Sequence, residues 1–208
     1  MRNGDRAALG GNLRVEQVLE SATRLFTEKG YDAASVRDLA AELEIRPSSL
    51  YHHFSGKQQI LFTICYGLQR DFNQAVLPVL LAGNSPDAAI SAAVRRHLIF
   101  NQQRKGEVIV NIRERRSLPA SQLAQVNALR RQYRDTLASI IGAGQAKGLF
   151  HVPDATLAAM AIVDMVNGSI HWFKPGDQRD LELAADRYAQ GALALLRCWD
   201  GAGTVGVS

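Results

Sequence analysis

A short run of side chains in the first third of the 208-residue chain has the chemistry needed to bind duplex DNA. Hydroxyl groups donate hydrogen bonds to phosphate oxygens, a guanidinium binds guanine O6 and N7, and small side chains let a helix backbone approach closely. The run contains hydroxyl groups, one guanidinium and one imidazole, on Arg46, Ser48, Ser49, Tyr51 and His52. This pattern is typical of a helix that enters the major groove.

Two short helices are predicted around these side chains. Ser35 is a good N-cap with Asp38 in the capping position three residues later, which starts a helix over about 36–43. Pro47 then fits the first turn of a helix over about 47–53. Two short helices joined by about four residues have the layout of a helix-turn-helix, although a three-helix packing unit without a DNA-binding role has the same spacing.

The whole chain repeats with a helical period, so we expect an all-α fold of about nine helices. Three N-terminal helices form one unit, and a long fourth helix, capped by Ser55 and ending after Pro78, connects it to a larger helical unit. Positions 107–112 fit strand or helix, and we interpret them as helix because no partner strand is predicted nearby. The other predicted ranges are 13–29, 86–104, 119–147, 154–173 and 178–199.

Composition excludes several classes of protein. Apolar residues make up 47% of the chain, but the longest unbroken apolar run, from Leu157 to Val163, is too short to span a membrane. The first residues lack the apolar segment of a secretory signal. Two cysteines cannot form a disulfide framework, so we expect a cytoplasmic protein without a membrane partner.

Positive charge is concentrated in the middle of the chain. Residues 95–134 hold ten basic and two acidic residues, or +8, whereas the whole chain has a net charge of +4. These cations suit a phosphate-bearing ligand, although a run of charge is also typical of a solvated face. They are Arg95, Arg96, Arg104, Lys105, Arg113, Arg115, Arg116, Arg130, Arg131 and Arg134.

The stretch that contains the predicted helix-turn-helix resembles the N-terminal domain of TetR-family transcriptional regulators. The resemblance covers about residues 12–72, and a run of matches this long is highly specific. The matching residues are Ala22, Leu25, Phe26, Glu28, Lys29, Gly30, Tyr31, Ser35, Val36, Arg37, Asp38, Leu39, Ala40, Leu50, Tyr51, His52, His53, Phe54 and Lys57.

The resemblance implies a transcriptional regulator, a repressor by family default, which binds palindromic operator DNA as a homodimer and is released by a small-molecule effector. Such a protein works in the bacterial cytoplasm and lies on the nucleoid when bound to DNA. We therefore expect a DNA-binding domain over 12–72, with the helix-turn-helix at about 35–54, and a ligand-binding and dimerisation domain over 73–200. Disordered tails are expected at 1–11 and 201–208.

The resemblance also implies roles for single residues. The positions of Ser35, Tyr51 and Lys57 contact backbone phosphates in the family. Further positions on the second helix of the helix-turn-helix line the major groove, and their residue types vary with the operator sequence. The predicted DNA-binding residues are Ser35, Arg46, Pro47, Ser48, Ser49, Tyr51, His52 and Lys57.

Three positions depart from the family pattern. Glu44 replaces the usual glycine of the turn, and because a left-handed conformation is strained with a side chain, we expect a differently shaped turn. Arg46 replaces a small N-cap, which weakens capping but adds a candidate base-reading group. Gln58 and Gln59 replace acidic residues, which loses a helix-dipole interaction of roughly 0.3–1 kcal/mol and removes repulsion from DNA.

Two helices near the C-terminus are candidates for the dimer interface. Two such helices from each of two chains would form a four-helix bundle, although the same stripes fit ordinary intrachain core. The stripes are Leu181, Ala184, Ala185, Tyr188, Ala192 and Leu195 on helix nine, and Met160, Val163, Asn167 and Ile170 on helix eight.

The turn over 171–177 resembles one found in an acyl-CoA-responsive branch of the family. Together with the basic segment, it predicts a small apolar or acyl-CoA-type effector, with no cofactor and no metal. The candidate effector-contacting residues are His97, Phe100, Arg113, Asn167, His171 and Trp172. His97 is more typical of a buried or surface histidine with satisfied hydrogen bonds than of a ligand contact, and Trp172 is more typical of a core or an interface.

Two other classes of protein are weaker alternatives. A small helical enzyme would need a catalytic or metal-binding motif, and the chain has no H-E-x-x-H, C-x-x-C, P-loop or dinucleotide-binding glycine pattern. His52 and His53 point about 100° apart on a helix, which makes them a poor metal pair. A helical partner-binding protein would ignore duplex DNA and would tolerate Tyr51→Ala. We therefore predict no enzymatic activity and no catalytic residue.

Overall fold

The computed structural model describes residues 15–198, which form nine α-helices and one 3₁₀ helix without a strand. The helices are α1 (Val15–Lys29), α2 (Val36–Glu42), α3 (Pro47–Tyr51), α4 (Lys57–Leu81), α5 (Pro86–Gln103), α6 (Lys105–Glu114), α7 (Ala120–Ala146), α8 (Ala155–Trp172) and α9 (Gln178–Arg197). The 3₁₀ helix is Arg115–Ser117.

The all-α prediction is confirmed, and the ambiguous segment 107–112 lies inside α6. None of the helices in 15–198 is long and apolar enough to cross a lipid bilayer. The predicted tails at 1–11 and 201–208, the start of the first helix at 13 and the end of the ninth at 199 lie outside the described residues.

Local capping chemistry sets most helix boundaries. The Ser35 hydroxyl oxygen accepts the Asp38 backbone N–H at 3.0 Å, and the Asp38 carboxylate accepts the Ser35 backbone N–H at 2.9 Å, which completes the predicted capping box. Asp154 likewise caps α8. Ser55 does not cap α4, because the helix begins at Lys57 and the Gly56 carbonyl accepts its first backbone hydrogen bonds.

The chain divides into two compact units. Among the described residues, the first comprises 15–67 together with Gly106–Leu123, and the second comprises Leu68–Lys105 together with 124–198. The predicted boundary after residue 72 and the division between Gly67 and Leu68 both lie inside α4. The first unit also includes α6, which the sequence-based division placed in the C-terminal domain.

The core of the first unit holds the helix-turn-helix in place. Helix α1 packs on α2, and α2 packs on α3. Apolar side chains of the three helices and of Phe54, which follows α3, form this core, and Ile45 in the turn between α2 and α3 is partly exposed. The buried residues include Val18, Leu25, Phe26, Leu39, Leu50 and Phe54. Helix α6 lies against α1, where a Cβ atom on Gly106 would be 3.0 Å from Thr23 Cγ2.

In the second unit, α9 lies along α5, and α8 packs on both. One face of α9 is buried in this packing, and the alanines on that face are small enough to let α9 and α5 approach closely. Much of the stripe predicted for the dimer interface is therefore intrachain core. The predicted interface residues that are buried within the chain are Leu181, Ala185 and Ala192 on α9 and Ile170 on α8.

Candidate nucleic-acid interface and effector cluster

The turn between α2 and α3 has the left-handed conformation that favours glycine, although Glu44 occupies it. Glu44 has a φ of 54°, its N–H donates to the Ala41 carbonyl at 3.1 Å, and the Ile45 N–H donates to the Ala40 carbonyl at 2.9 Å. These two hydrogen bonds form a Schellman motif. The expectation of a differently shaped turn was wrong: the hydrogen bonds outweigh a conformational cost of about 1–2 kcal/mol.

Helix α3 presents the predicted DNA-binding side chains on its outer surface. Leu50 is buried beneath the helix, whereas Tyr51 is 57% exposed. Arg46 is the N-cap of α3 and makes no side-chain capping hydrogen bond, so its guanidinium extends from the start of the helix. The other exposed members are Pro47, Ser48 and His52, and Ser49 is partly exposed.

Sequence reasoning did not assign a role to Arg37, the second residue of α2. The neighbouring cations are engaged within the protein: Arg24 pairs with Glu42, and Lys29 Nζ lies 3.5 Å from an Asp38 carboxylate oxygen. Arg37 and Arg46 are exposed, and neither makes an ion pair or hydrogen bond within the described residues. The only sequence signal was the position of Arg37 inside the matching motif.

Two residues predicted to contact phosphates are engaged elsewhere. Lys57 Nζ donates to the backbone carbonyls of Tyr31, Ala34 and Asp32 at 2.7, 2.9 and 3.3 Å. The hydroxyl of Ser35 donates to the Asp38 carboxylate, and this hydrogen bond is the main cause that lowers the pKa of that carboxyl. Neither side chain therefore has a free donor to offer a phosphate.

Three of the predicted effector-contacting residues come together in the second unit. His97 Nε2 lies 3.3 Å from Asn167 Oδ1, and the His97 and Phe100 rings both meet the Phe72 ring edge to face, at 4.6 and 5.4 Å. Tyr133 closes the group, since its ring centroid is 4.9 Å from that of Phe72. Phe72 and Tyr133 were not predicted as effector contacts, because they lie on α4 and α7, far from His97 in sequence.

The hydrogen bonds of this cluster run in one consistent direction, and burial keeps the imidazole of His97 neutral. The Tyr133 hydroxyl lies 3.5 Å from His97 Nδ1, and Asn101 Nδ2 donates to Asn167 Oδ1 at 3.0 Å. Because Asn167 Oδ1 can only accept, Nε2 is the protonated nitrogen of His97 and Nδ1 accepts from Tyr133. Burial lowers the pKa of His97 to about 3 and raises the pKa of Tyr133. The cluster is therefore polar but uncharged.

A second neutral polar group joins α4 to α7 in the same unit. Asn73 Nδ2 donates to the Leu129 carbonyl at 2.9 Å and to Gln132 Oε1 at 3.0 Å. Gln69 Nε2 donates to Asn73 Oδ1 at 3.2 Å, and both Gln69 and Asn73 are buried. The core of this unit thus contains several amide groups and no buried charge among these residues.

The other three candidate effector contacts are surface residues. Arg113 is exposed on α6, which belongs to the first unit. His171 and Trp172 are exposed at the end of α8, where the Trp172 ring stacks on Tyr188 with a centroid distance of 6.4 Å. His171 and Trp172 therefore lie outside the buried His97 cluster.

Much of the basic segment is neutralised within its own unit. Arg95 pairs with Asp186, Arg104 Nη1 lies 3.4 Å from Asp71 Oδ2, and Lys105 Nζ donates to the Phe173 carbonyl at 3.1 Å. Within this basic segment, the residues that make neither an ion pair nor a side-chain hydrogen bond to the described residues are Arg96, Arg113, Arg116 and Arg131. Residues 15–198 contain no group of three or more His, Cys, Asp or Glu side chains that could hold a metal ion.

A helix-turn-helix with an exposed polar recognition helix, followed by a separate helical unit, defines a DNA-binding transcriptional regulator. Residues 18–64 match the family model described as bacterial regulatory proteins, tetR family, and residues 83–196 match the model described as Tetracyclin repressor-like, C-terminal domain. The chain belongs to the TetR family. It is therefore a DNA-binding repressor of this family and not an enzyme.

Relatives and solved structures agree with this assignment. The HTH-type transcriptional repressor KstR2 of Rhodococcus jostii is 26% identical over 181 residues, which cover 86% of this chain and 89% of the relative. A tetR-family regulatory protein from Rhodococcus RHA1 superposes with a TM-score of 0.82 at 26% identity and covers 89% of this chain and 97% of its own. AibR, whose structure contains isovaleryl coenzyme A and operator DNA, gives a TM-score of 0.75 at 27% identity, with 87% and 96% coverage.

Proposed function

We propose that this repressor binds a palindromic operator as a homodimer and leaves it when a small apolar or acyl-CoA-type effector enters the second unit. The observation that carries this proposal is an uncharged hydrogen-bonded cluster in which His97, Tyr133 and Asn101 are buried and Asn167 is partly buried. AibR, which is similar over most of the chain, binds both an acyl-CoA and operator DNA. An effector of that type fits the chemistry of the cluster.

The cluster suits an uncharged polar group flanked by apolar surface. A thioester or keto oxygen can accept from the Asn101 amide, as Asn167 Oδ1 does in the structure. The Phe72 and Phe100 rings offer apolar contact to an acyl chain. Because the side chains of the cluster are hydrogen-bonded to one another, an effector must replace some of these hydrogen bonds when it binds. Arg96 and Arg131 are unpaired cations of this unit and suit the phosphates of coenzyme A.

The proposed homodimer uses the outer faces of α8 and α9. Large apolar side chains are exposed there although the chain has buried most of its other apolar residues. They are Leu157, Met160 and Trp172 on α8 and Leu183 and Leu195 on α9. Gly168 and Gly191 lie on the same two helices, and a Cβ atom on either would meet no atom within 4 Å. A second copy of the chain can therefore approach these helices closely and form a four-helix bundle.

For DNA, we propose an interface made of the exposed surface of α3 and the first turn of α2. It comprises Arg46, Pro47, Ser48, Ser49, Tyr51 and His52, with Arg37 added. We propose that effector binding changes which dimer geometry is populated. The coupling free energy between effector binding and DNA binding is then about 1–3 kcal/mol. Helix α4 runs without a break from Lys57 to Leu81 and contributes residues to both units, which makes it the proposed lever.

We expect Arg46→Ala to relax base preference at one position of each half-site, because its unpaired guanidinium extends from the N-cap of α3. A bidentate contact to guanine contributes about 1–3 kcal/mol of discrimination, so the preference there should fall roughly 5- to 150-fold. Selection of binding sites from a random duplex library measures this, with the parent protein as reference. If parent and variant select identical sites, Arg46 does not read a base.

Thermal unfolding of the purified protein with acyl-CoAs, free coenzyme A and unrelated apolar compounds tests the effector proposal. A ligand present at 100 times its Kd and bound only to the folded state stabilises it by about 2.7 kcal/mol. We expect certain acyl-CoAs to raise the Tm and to release operator DNA, and Asn167→Leu to reduce both effects. If no thioester shifts the Tm and another compound does, the acyl-CoA assignment is wrong while the DNA-binding assignment is unaffected.

A further inference from the structure

We propose that Lys57 is a positioning residue of the DNA interface, whose ammonium group is saturated by the backbone of the α1–α2 loop and does not neutralise a DNA phosphate. An ammonium has three N–H donors, and three carbonyl oxygens, of Tyr31, Asp32 and Ala34, lie 2.7–3.3 Å from Nζ. The Tyr31 ring covers a further side of the group, with its centroid 4.2 Å away. No donor is left for a phosphate oxygen.

The loop that Lys57 holds leads directly into the DNA-facing end of α2. Gly30, with a φ of 82°, follows the last residue of α1, and Tyr31 is then anchored by edge-to-face contact with Phe26 at 5.3 Å. Ser35 caps α2 immediately after the three carbonyl groups. The contact therefore ties the first residue of α4 to the segment that sets where α2 begins and where Arg37 is presented.

The placement of this cation is explained by the carbonyl oxygens and not by its own helix. A cation in the first turn of a helix is disfavoured by the helix dipole, so α4 itself gives Lys57 no stabilisation at this place. Three carbonyl oxygens that converge on one point carry partial negative charge and would lose their hydrogen-bond donors if the ammonium were removed. Lys57 thus stabilises one particular conformation of residues 31–34.

An arginine at this position distinguishes the two roles. Arginine binds phosphate at least as well as lysine does, so Lys57→Arg should preserve operator binding if Lys57 holds a phosphate. A planar guanidinium cannot direct three donors from one nitrogen toward three convergent carbonyl groups. If Lys57 is a positioning residue, we expect Lys57→Arg not to restore the affinity that Lys57→Met loses.

The inference rests on the proposed DNA interface, and the salt dependence of operator binding tests it. Each phosphate contact contributes about 0.9 to the slope of log K against log salt concentration. Lys57→Met should lower affinity at least roughly tenfold at each salt concentration while the slope stays that of the parent. Arg37→Met is the matched control, because it removes one exposed, unpaired charge from the same unit of each protomer and should lower the slope for the dimer by about 1.8.

Hydrogen exchange of the free protein gives a second readout that does not depend on DNA. Amides 31–36 should exchange faster in Lys57→Met and at the parent rate in Arg37→Met. The proposal is overturned if Lys57→Met lowers the salt slope of the dimer by about 1.8, which is 0.9 for each protomer, if its affinity equals that of the parent, or if exchange of amides 31–36 is unchanged. Failure of the parent itself to bind any selected duplex would contradict the proposed function, and hydrogen exchange would still decide the role of Lys57.

Discussion

The free energy of unfolding is expected to fall as the pH drops from about 6.5 toward 3, because His97 is held neutral in the folded protein. Burial lowers its pKa from 6.5 to about 3, and Arg130 contributes in the same direction. Between these two values the unfolded chain binds a proton that the folded chain excludes. The stability linked to His97 is therefore complete above pH 6.5 and is lost at up to about 1.4 kcal/mol per pH unit below it.

Chemical denaturation at several pH values between 4.5 and 7.5 measures this effect. Asp38 and Asp87 have pKa values lowered from 3.8, so they add little in this window. We expect His97→Gln to flatten the profile, whatever its stability at pH 7.5. His53→Gln makes the same substitution at an exposed histidine and should leave the profile unchanged. Parallel profiles for His97→Gln and the parent would show that another group causes the pH dependence.

Local capping signals were sufficient to predict where α2 and α3 begin, whereas the DNA-binding role of the pair rested on the resemblance to TetR-family regulators. The capping box of Ser35 and Asp38 starts α2, and Pro47 starts α3. Each of these signals acts on the helical turn in which it lies, so the start of each helix can be predicted from neighbouring residues. Glu44 shows the limit of such rules, since residue preference favoured a different turn while two backbone hydrogen bonds between α2 and the turn decided its conformation. Backbone hydrogen bonding outweighed the preference of one side chain.

Contacts distant in sequence were the ones that could not be predicted. The carbonyl oxygens that bind Lys57 belong to residues that precede it by 23 to 26 positions. Every residue has a backbone carbonyl group, so the sequence does not indicate which of them will accept a hydrogen bond from this lysine. Helix α6 belongs with the helix-turn-helix unit although α4 and α5 precede it. Periodicity found the apolar face of α9 but could not identify its partner, which is α5 of the same chain for Leu181, Ala185 and Ala192.

The exposed faces of α8 and α9 form the proposed dimer interface, and Gly168 and Gly191 lie on these two helices. Gly168→Glu and Gly191→Glu are each expected to prevent dimerisation and to lower operator affinity roughly 100-fold or more. Each glycine has open space around its Cβ position within the chain, so a glutamate fits the single chain without a clash. Glutamate also forms helix better than glycine by roughly 0.5–1 kcal/mol, so the isolated chain should keep its stability. In a four-helix bundle the same side chain would place a charge where two helices meet.

The large loss of affinity follows from bivalency. Two linked recognition helices gain roughly 10²–10⁴ in affinity over a single one, and a monomer forfeits that gain. Sedimentation velocity gives the oligomeric state, and operator titration gives the affinity. Gly142→Glu on α7 is the matched control, because its Cβ atom would meet only Gln145 Oε1 at 3.9 Å and it lies on neither proposed interface helix. If both interface variants stay dimeric with the affinity of the parent, the chain pairs through another surface, since a charge within the proposed α8–α9 bundle would not be tolerated.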